Sequence, residues 1–169
     1  VRSLFTYLTR QGITKDNPGK GLRPPKAPRK LPQVLDVDEV VQLVELPTDG
    51  TLGLRDRALL ELLYSSGLRV SEICSLTWRN VDLDDCLVTV LGKGSKARIV
   101  PVGSHAVNAL KDWRQQSAPT LSAPVFPGRG GAFISSRAIQ LRLRHLAQQQ
   151  GIWKRVYPHL LRHSFASHM

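Results

Sequence analysis

The sequence predicts a mainly helical α+β fold carrying a small antiparallel sheet. Two observations carry that prediction. Most of the apolar residues recur every three or four positions, as one face of a helix requires. Against that background only Leu87-Val88-Thr89-Val90-Leu91 and Ala97-Arg98-Ile99-Val100-Pro101 read as strands, and Gly92-Lys93-Gly94-Ser95-Lys96 between them forms a hairpin turn.

Residues 2–13 read as a helix with Leu4, Phe5 and Leu8 on its apolar face, stopped at Gly12. So short a helix buries no core of its own, so residues 1–13 are expected to be the last helix of an otherwise absent N-terminal domain. Residues 14–35 hold Pro18, Pro24, Pro25, Pro28 and Pro32 among Lys20, Arg23, Lys26, Arg29 and Lys30, the composition of a semi-rigid, extended basic linker. Residues 36–169 form the main domain. Asp36 is the expected N-cap of a helix to about Leu46, with Val37, Val40, Val41 and Val44 at helical spacing. After a turn through Gly53, Leu54 to Ser66 is a second helix whose Leu59, Leu60, Leu62, Leu63 and Tyr64 are expected to be fully buried, with Gly67 closing it.

A further helix starts at Val70 or Ser71, with Ile73 and Trp78 as core. Beyond the hairpin, a helix from Gly103 to about Gln116 turns Val107, Leu110 and Trp113 inward. Residues 117–134 are loop-rich, with a short strand expected at Val125-Phe126. Ser135 or Ser136 caps a helix to Gln150 that directs Ile139, Leu143 and Leu146 inward and Arg137, Arg142 and Arg144 outward. The last helix begins at Pro158, whose missing N–H costs nothing in a first turn.

The chain of 169 residues has a formal net charge of +11, and its charge is segregated. Residues 1–35 carry eight Lys/Arg and one acid, residues 36–86 four and eleven, and residues 87–169 twelve and one. A merely solvated surface mixes the signs. Two basic tracts on either side of an acidic one point to a polyanionic partner. Cys74 and Cys86 stand twelve apart with no C-x-x-C, which argues against a disulfide framework or a cysteine zinc site and for reduced thiols in the cytoplasm. No apolar run reaches membrane-spanning length, and the first residues lack the pattern of a signal peptide. With no initiator Met, the chain is expected to begin inside a longer protein.

Chemistry concentrates at three places. In the last helix His159 and Arg162 are three apart and share a face, while Leu161 and Phe165 share another. An imidazole and a guanidinium at a helix N-terminus suit a phosphate, and the alternatives are an exposed polar face or, through His159 and His163, a metal. Zinc is disfavoured because Leu160 stands where an H-E-x-x-H helix has its Glu. At Gly67-Leu68-Arg69-Val70-Ser71-Glu72, Arg69 lies between two helices. It either clamps an anion, with Glu72 orienting its guanidinium from behind, or forms an internal pair with Glu72. The hairpin contains no P-loop frame, and Lys93 and Lys96 at its tip are either solvated or proton donors.

These three motifs, in this order, resemble the tyrosine recombinase (phage integrase) family, and in particular its Xer branch. Asn17-Pro18, Pro25-Lys26-Ala27-Pro28-Arg29 and Leu31-Pro32 are similar to the Xer linker. The resemblance implies the catalytic-domain fold of that family and site-specific DNA strand exchange through a 3′-phosphotyrosyl intermediate, without metal or nucleotide cofactor. It implies that Arg69 and Arg162 bind the scissile phosphate, that Lys93 protonates the 5′-oxygen, with Lys96 the other candidate, and that His159 assists. Lys20, Arg23, Lys26, Arg29, Lys30, Lys96, Arg98 and Arg142 are expected along the DNA. The implied partners are double-stranded DNA, a sister recombinase of XerD type in a tetramer and a DNA translocase of FtsK type, with chromosome dimer resolution at cell division as the role. The family pattern goes on to a second His or Trp and the nucleophilic Tyr, and the chain stops at Met169 before either. Tyr7, Tyr64 and Tyr157 match no nucleophile position, so these residues alone are expected to bind DNA without cutting it. The rival readings are a non-catalytic DNA-binding regulator and type IB topoisomerase-like relaxation.

Overall fold

The computed structural model describes residues 2–22, 34–45, 47, 50–92 and 96–168. It divides into two compact units, Val1–Leu31 and Pro32–Met169.

In the first unit, helix α1 (Arg2–Arg10) leaves Leu4 and Tyr7 exposed. The chain then turns back. A 3₁₀ turn at Pro18–Gly21 is capped by the Asn17 side chain, which accepts from the Gly19 N–H, and the Arg2 Nε donates to the Gly19 carbonyl at 2.9 Å. Residues 17–22 therefore fold against α1 instead of running extended as the proline content suggested. The guanidinium of Arg2 supplies the donors, reaching the Lys20 and Leu22 carbonyls as well. Residues 23–33, with the rest of the proline-rich stretch, lie outside the described residues.

The second unit is built on helices α2 (Val37–Val44), α3 (Gly50–Ser66), α4 (Val70–Cys74), α5 (Ser104–Ser117), α6 (Ser136–Gln149) and α7 (Pro158–His168). Strands β1 (Val81–Asp82), β2 (Leu87–Leu91) and β3 (Ala97–Pro101) form one antiparallel sheet in the order β1-β2-β3. Helix α2 starts on a capping box: Asp36 accepts from the Glu39 N–H at 2.8 Å, and Glu39 accepts from the Asp36 N–H at 3.0 Å. Val40 and Leu43 are its buried residues, whereas Val37 and Val41 face outward.

Helix α3 supplies the centre of the core, with Leu59, Leu60, Leu62 and Leu63 at 1% exposure or less. Tyr64 departs from the expected full burial. Its hydroxyl needs a partner, and it sits half-buried at the core's edge, 2.9 Å from His168 Nδ1. The helix begins at Gly50, four residues earlier than the periodicity indicated, because its first turn carries too few apolar residues to show.

Val125-Phe126, expected as a short strand, is a buried bend between isolated bridges at Pro124 and Pro127. It is held by the Val125 N–H on the Leu76 carbonyl and by Trp113 Nε1 on the Val125 carbonyl. Two residues long, β1 is below what alternation can reveal.

Asp56 is wholly buried on α3, and a carboxylate there must be paired. Arg55 donates to one oxygen at 2.9 Å, and Arg142 reaches the other with Nε at 2.7 Å, joining α6 to α3. Arg142, expected outward along the DNA, instead gives its guanidinium to the buried Asp56.

Candidate phosphate-binding site

Helices α3, α4 and α7 meet around Gly67, the residue before the segment that carries Arg69. It ends α3 with φ +55° in the left-handed region, so the chain reverses directly into α4. A Cβ at Gly67 would lie 2.8 Å from the Phe165 ring of α7, so glycine is also what allows α7 to pack this closely on the end of α3. Phe165 in turn packs edge-on against Tyr64, with ring centroids 6.5 Å apart.

With Leu160, Leu161 and Ser164 turned into the core, α7 presents His159, Arg162 and His163 toward the other side. Ser164 fixes this rotation, because its buried hydroxyl accepts from the Leu35 N–H at 2.9 Å and donates to the Leu160 carbonyl. Arg162 Nη1 then donates to the Gly67 carbonyl, two residues before Arg69. The two arginines of the predicted pair are thus delivered to the same turn from elements 93 positions apart. His159 is exposed and stacks on His163 at 6.3 Å.

Arg69 is the N-cap of α4. An arginine side chain has no acceptor to offer there, so the cap is made by Glu72 reaching back to the Arg69 N–H at 2.8 Å. Glu72 also accepts from the Arg69 guanidinium at 3.1 Å, the contact that both expected readings of Arg69 share. It does more than that. Arg98 on β3 grips the same carboxylate with both arms, Nη1 on one oxygen at 2.7 Å and Nη2 on the other at 2.9 Å. The Glu72 side chain is 5% exposed, that of Arg98 37% and that of Arg69 55%. Burial alone would raise the Glu72 carboxyl. Hydrogen bonds from Arg98 and from the backbone and side chain of Arg69 outweigh it and hold the group down at about 2. Glu72 is therefore a fixed negative charge whose oxygens are filled, while more than half of the Arg69 side chain stays in solvent.

Arg98, expected along the DNA, is thus paired internally. The alternation of β3 could have shown this: Val90 is its cross-strand partner and 4% exposed, so Arg98 shares the core-facing side with Val100 while Ile99 points out. What sequence spacing does not give is that Glu72, 26 positions earlier, stands beneath it. Of the other expected DNA contacts, Lys20 and Lys96 are exposed. Lys93, the expected proton donor, and Arg23, Lys26, Arg29 and Lys30 lie outside the described residues.

Sequence reasoning assigned no role to a second basic region. Arg144 lines one concavity with Gln140, Arg155 and Tyr157, and a neighbouring one with Trp153 and Lys154. Arg137, Gln140, Arg144 and Gln148 recur at helical spacing along the exposed side of α6, a signal present in the sequence.

A family model described as the phage integrase family matches residues 33–169. Tyrosine recombinase XerC of Xanthomonas axonopodis pv. citri is 61% identical over 99% of this chain and 55% of its own length. The XerC of Xylella fastidiosa strain M23 is 59% identical over 99% of this chain and 57% of its own. The chain thus spans about half the length of the curated relatives it matches, and these relatives belong to the Xer branch that the motifs resemble. Among solved structures, XerA recombinase superposes with a TM-score of 0.75 at 31% identity, covering 96% of this chain and 58% of that one. XerH recombinase bound to palindromic difH substrate superposes at 0.78 over 97% of this chain and 52% of that one, and at 22% identity it attests the fold alone. The helical unit with its three-stranded sheet is the tyrosine recombinase catalytic fold, and the chain belongs to the phage integrase family.

Proposed function

We propose that this chain is the catalytic part of a Xer-type site-specific recombinase, in which Arg69 and Arg162 hold the scissile phosphate of DNA. The observation that supports the reading is the Arg162 contact to the Gly67 carbonyl, which ties a second guanidinium to the turn that leads into the solvent-facing Arg69. A phosphodiester undergoing transesterification passes through a pentavalent state with added charge on its non-bridging oxygens. Two fixed guanidiniums stabilise that charge as a metal ion would. His159, exposed on the same helix, assists proton transfer or phosphate binding. Lys93, from the hairpin that β2 and β3 support, protonates the departing 5′-oxygen.

The nucleophile in this reading is a tyrosine carried by sequence following the H-x-x-R helix, since Tyr7, Tyr64 and Tyr157 all precede Arg162. Residues 1–13 are the last helix of an N-terminal core-binding domain, residues 14–35 the basic interdomain linker and residues 36–169 the catalytic domain. The partners are a duplex recombination site and a sister recombinase of XerD type in a tetramer, with a DNA translocase of FtsK type acting on the assembly. The setting is cytoplasmic chromosome dimer resolution at cell division.

The test is covalent trapping. A full-length protein containing this sequence, incubated with a nicked duplex carrying a Xer recombination site, forms a protein–DNA adduct through a tyrosine. Arg69→Ala and Arg162→Ala each lower adduct formation by about 100-fold or more while DNA binding is largely kept. Tight binding with no adduct would identify a DNA-binding regulator, and relaxation of supercoils without strand exchange a topoisomerase.

A further inference from the structure

Arg98 and Arg69 compete for one carboxylate, and the distances show which of them holds it. Glu72 carries a single negative charge and accepts four hydrogen bonds, two from the Arg98 fork at 2.7 and 2.9 Å and two from Arg69, one of these being backbone. A planar fork on a planar carboxylate is the strongest arrangement open to these groups, and Arg98 has it. Arg69 is left with one longer side-chain contact and a side chain more than half exposed.

We infer that Arg98 is a positioning residue: by occupying Glu72 bidentately it keeps the Arg69 guanidinium from collapsing onto that carboxylate and leaves its charge available to a phosphate. Without Arg98 the buried carboxylate needs another fork, and Arg69 is the neighbouring one. Arg69 would then turn inward and be neutralised. Because Arg98 belongs to β3, the same contact ties the hairpin to the turn that carries Arg69. The hairpin is pinned at its neck by the Gly92 N–H on the Lys96 carbonyl at 2.8 Å, next to the Arg98 guanidinium. The sheet and the arginine turn are thus held in one register by a single carboxylate.

The inference rests on the reading of Arg69 as a phosphate ligand, and the experiment separates the two. In the full-length protein, adduct formation on a nicked recombination-site duplex is measured at saturating DNA, together with DNA affinity and the thermal midpoint. Arg98→Ala is expected to slow adduct formation by about 10- to 100-fold, with affinity changed less than about threefold. Arg98→Lys, which offers one point charge in place of a fork, falls between wild type and Arg98→Ala, and it carries the test if Arg98→Ala does not fold. The decisive variant is Arg98→Ala combined with Glu72→Gln. A neutral amide does not capture Arg69, so the second substitution recovers a substantial part of the lost rate. A double variant no faster than Arg98→Ala, or a loss of affinity with an unchanged rate at saturation, overturns the proposal and makes Arg98 an ordinary DNA contact. An Arg69→Ala protein with undiminished rate removes the phosphate reading itself, whatever Arg98 does.

Discussion

At the scale of single residues, Glu72 shows how a buried charge can hold the cations around it in place. Its carboxyl is held at about 2, from an ordinary value of 4.5, so it is stabilised as the anion in the folded state. The sign follows. A group whose folded pKa is depressed contributes stability that is fully present above its unfolded value and is lost as pH falls toward the folded one. The contribution is on the order of 3 kcal/mol and disappears between about pH 4.5 and 2. Glu61 on α3 runs the other way: burial raises its carboxyl, with His105 and Arg57 partly opposing, so its contribution is present at low pH and is lost as pH rises through its raised value. The two are separated by a difference measurement. Wild type and Glu72→Gln are unfolded in urea from pH 7 to pH 3, and the stability gap between them is expected to narrow steadily below about pH 4.5. A gap constant with pH would mean that Glu72 holds its partners by packing and not by charge.

At the scale of elements, the sequence was legible where periodicity or caps are strong. The helices of the second unit fell within a few residues of their expected bounds, and Asp36, Gly67 and Ser135 sit where capping rules put them. What could not be read were pairings across long separations. Arg98 and Arg142 looked like surface cations because nothing local opposes them, yet buried Glu72 and Asp56 claim both from 26 and 86 positions away. The motif positions Arg69, His159 and Arg162 were visible as residue types, while the contact that ties Arg162 to the turn before Arg69 runs through a backbone carbonyl, which no side-chain pattern encodes. Gly67 tests that junction. Gly67→Ala combines a positive φ with a Cβ 2.8 Å from the Phe165 ring, so a loss of about 2 to 3 kcal/mol in urea unfolding is expected. Adding Phe165→Leu removes the overlap but not the φ penalty, so roughly 1 kcal/mol of the loss should persist. A Gly67→Ala protein as stable as wild type would show that α7 is not seated on this turn.

At the scale of the molecule, the segregation of charge along the sequence becomes a division of labour in space within the second unit. In the central acidic segment the buried carboxylates are neutralised internally, Asp56 by Arg55 and Arg142 and Glu72 by Arg69 and Arg98, while Asp36 and Glu39 meet Lys154 at the surface and Asp82, Asp84 and Asp85 stay exposed. Among the described residues no acidic side chain pairs with Arg137, Arg144 or Arg155, which leaves these three cations exposed on and beside α6. Each phosphate neutralised on a duplex releases condensed counterions, so binding weakens with salt with a log–log slope of about −0.9 per contact. Arg137→Gln, Arg144→Gln and Arg155→Gln should therefore each flatten the slope by up to about 0.9, read as DNA affinity against potassium chloride concentration at fixed pH. Arg142→Gln should leave the slope almost unchanged and lower stability instead, because it strips one partner from a wholly buried carboxylate. The reverse result, with Arg142 setting the salt dependence and the three exposed arginines silent, would mean that DNA approaches a different face and that the Asp56 pair opens on binding.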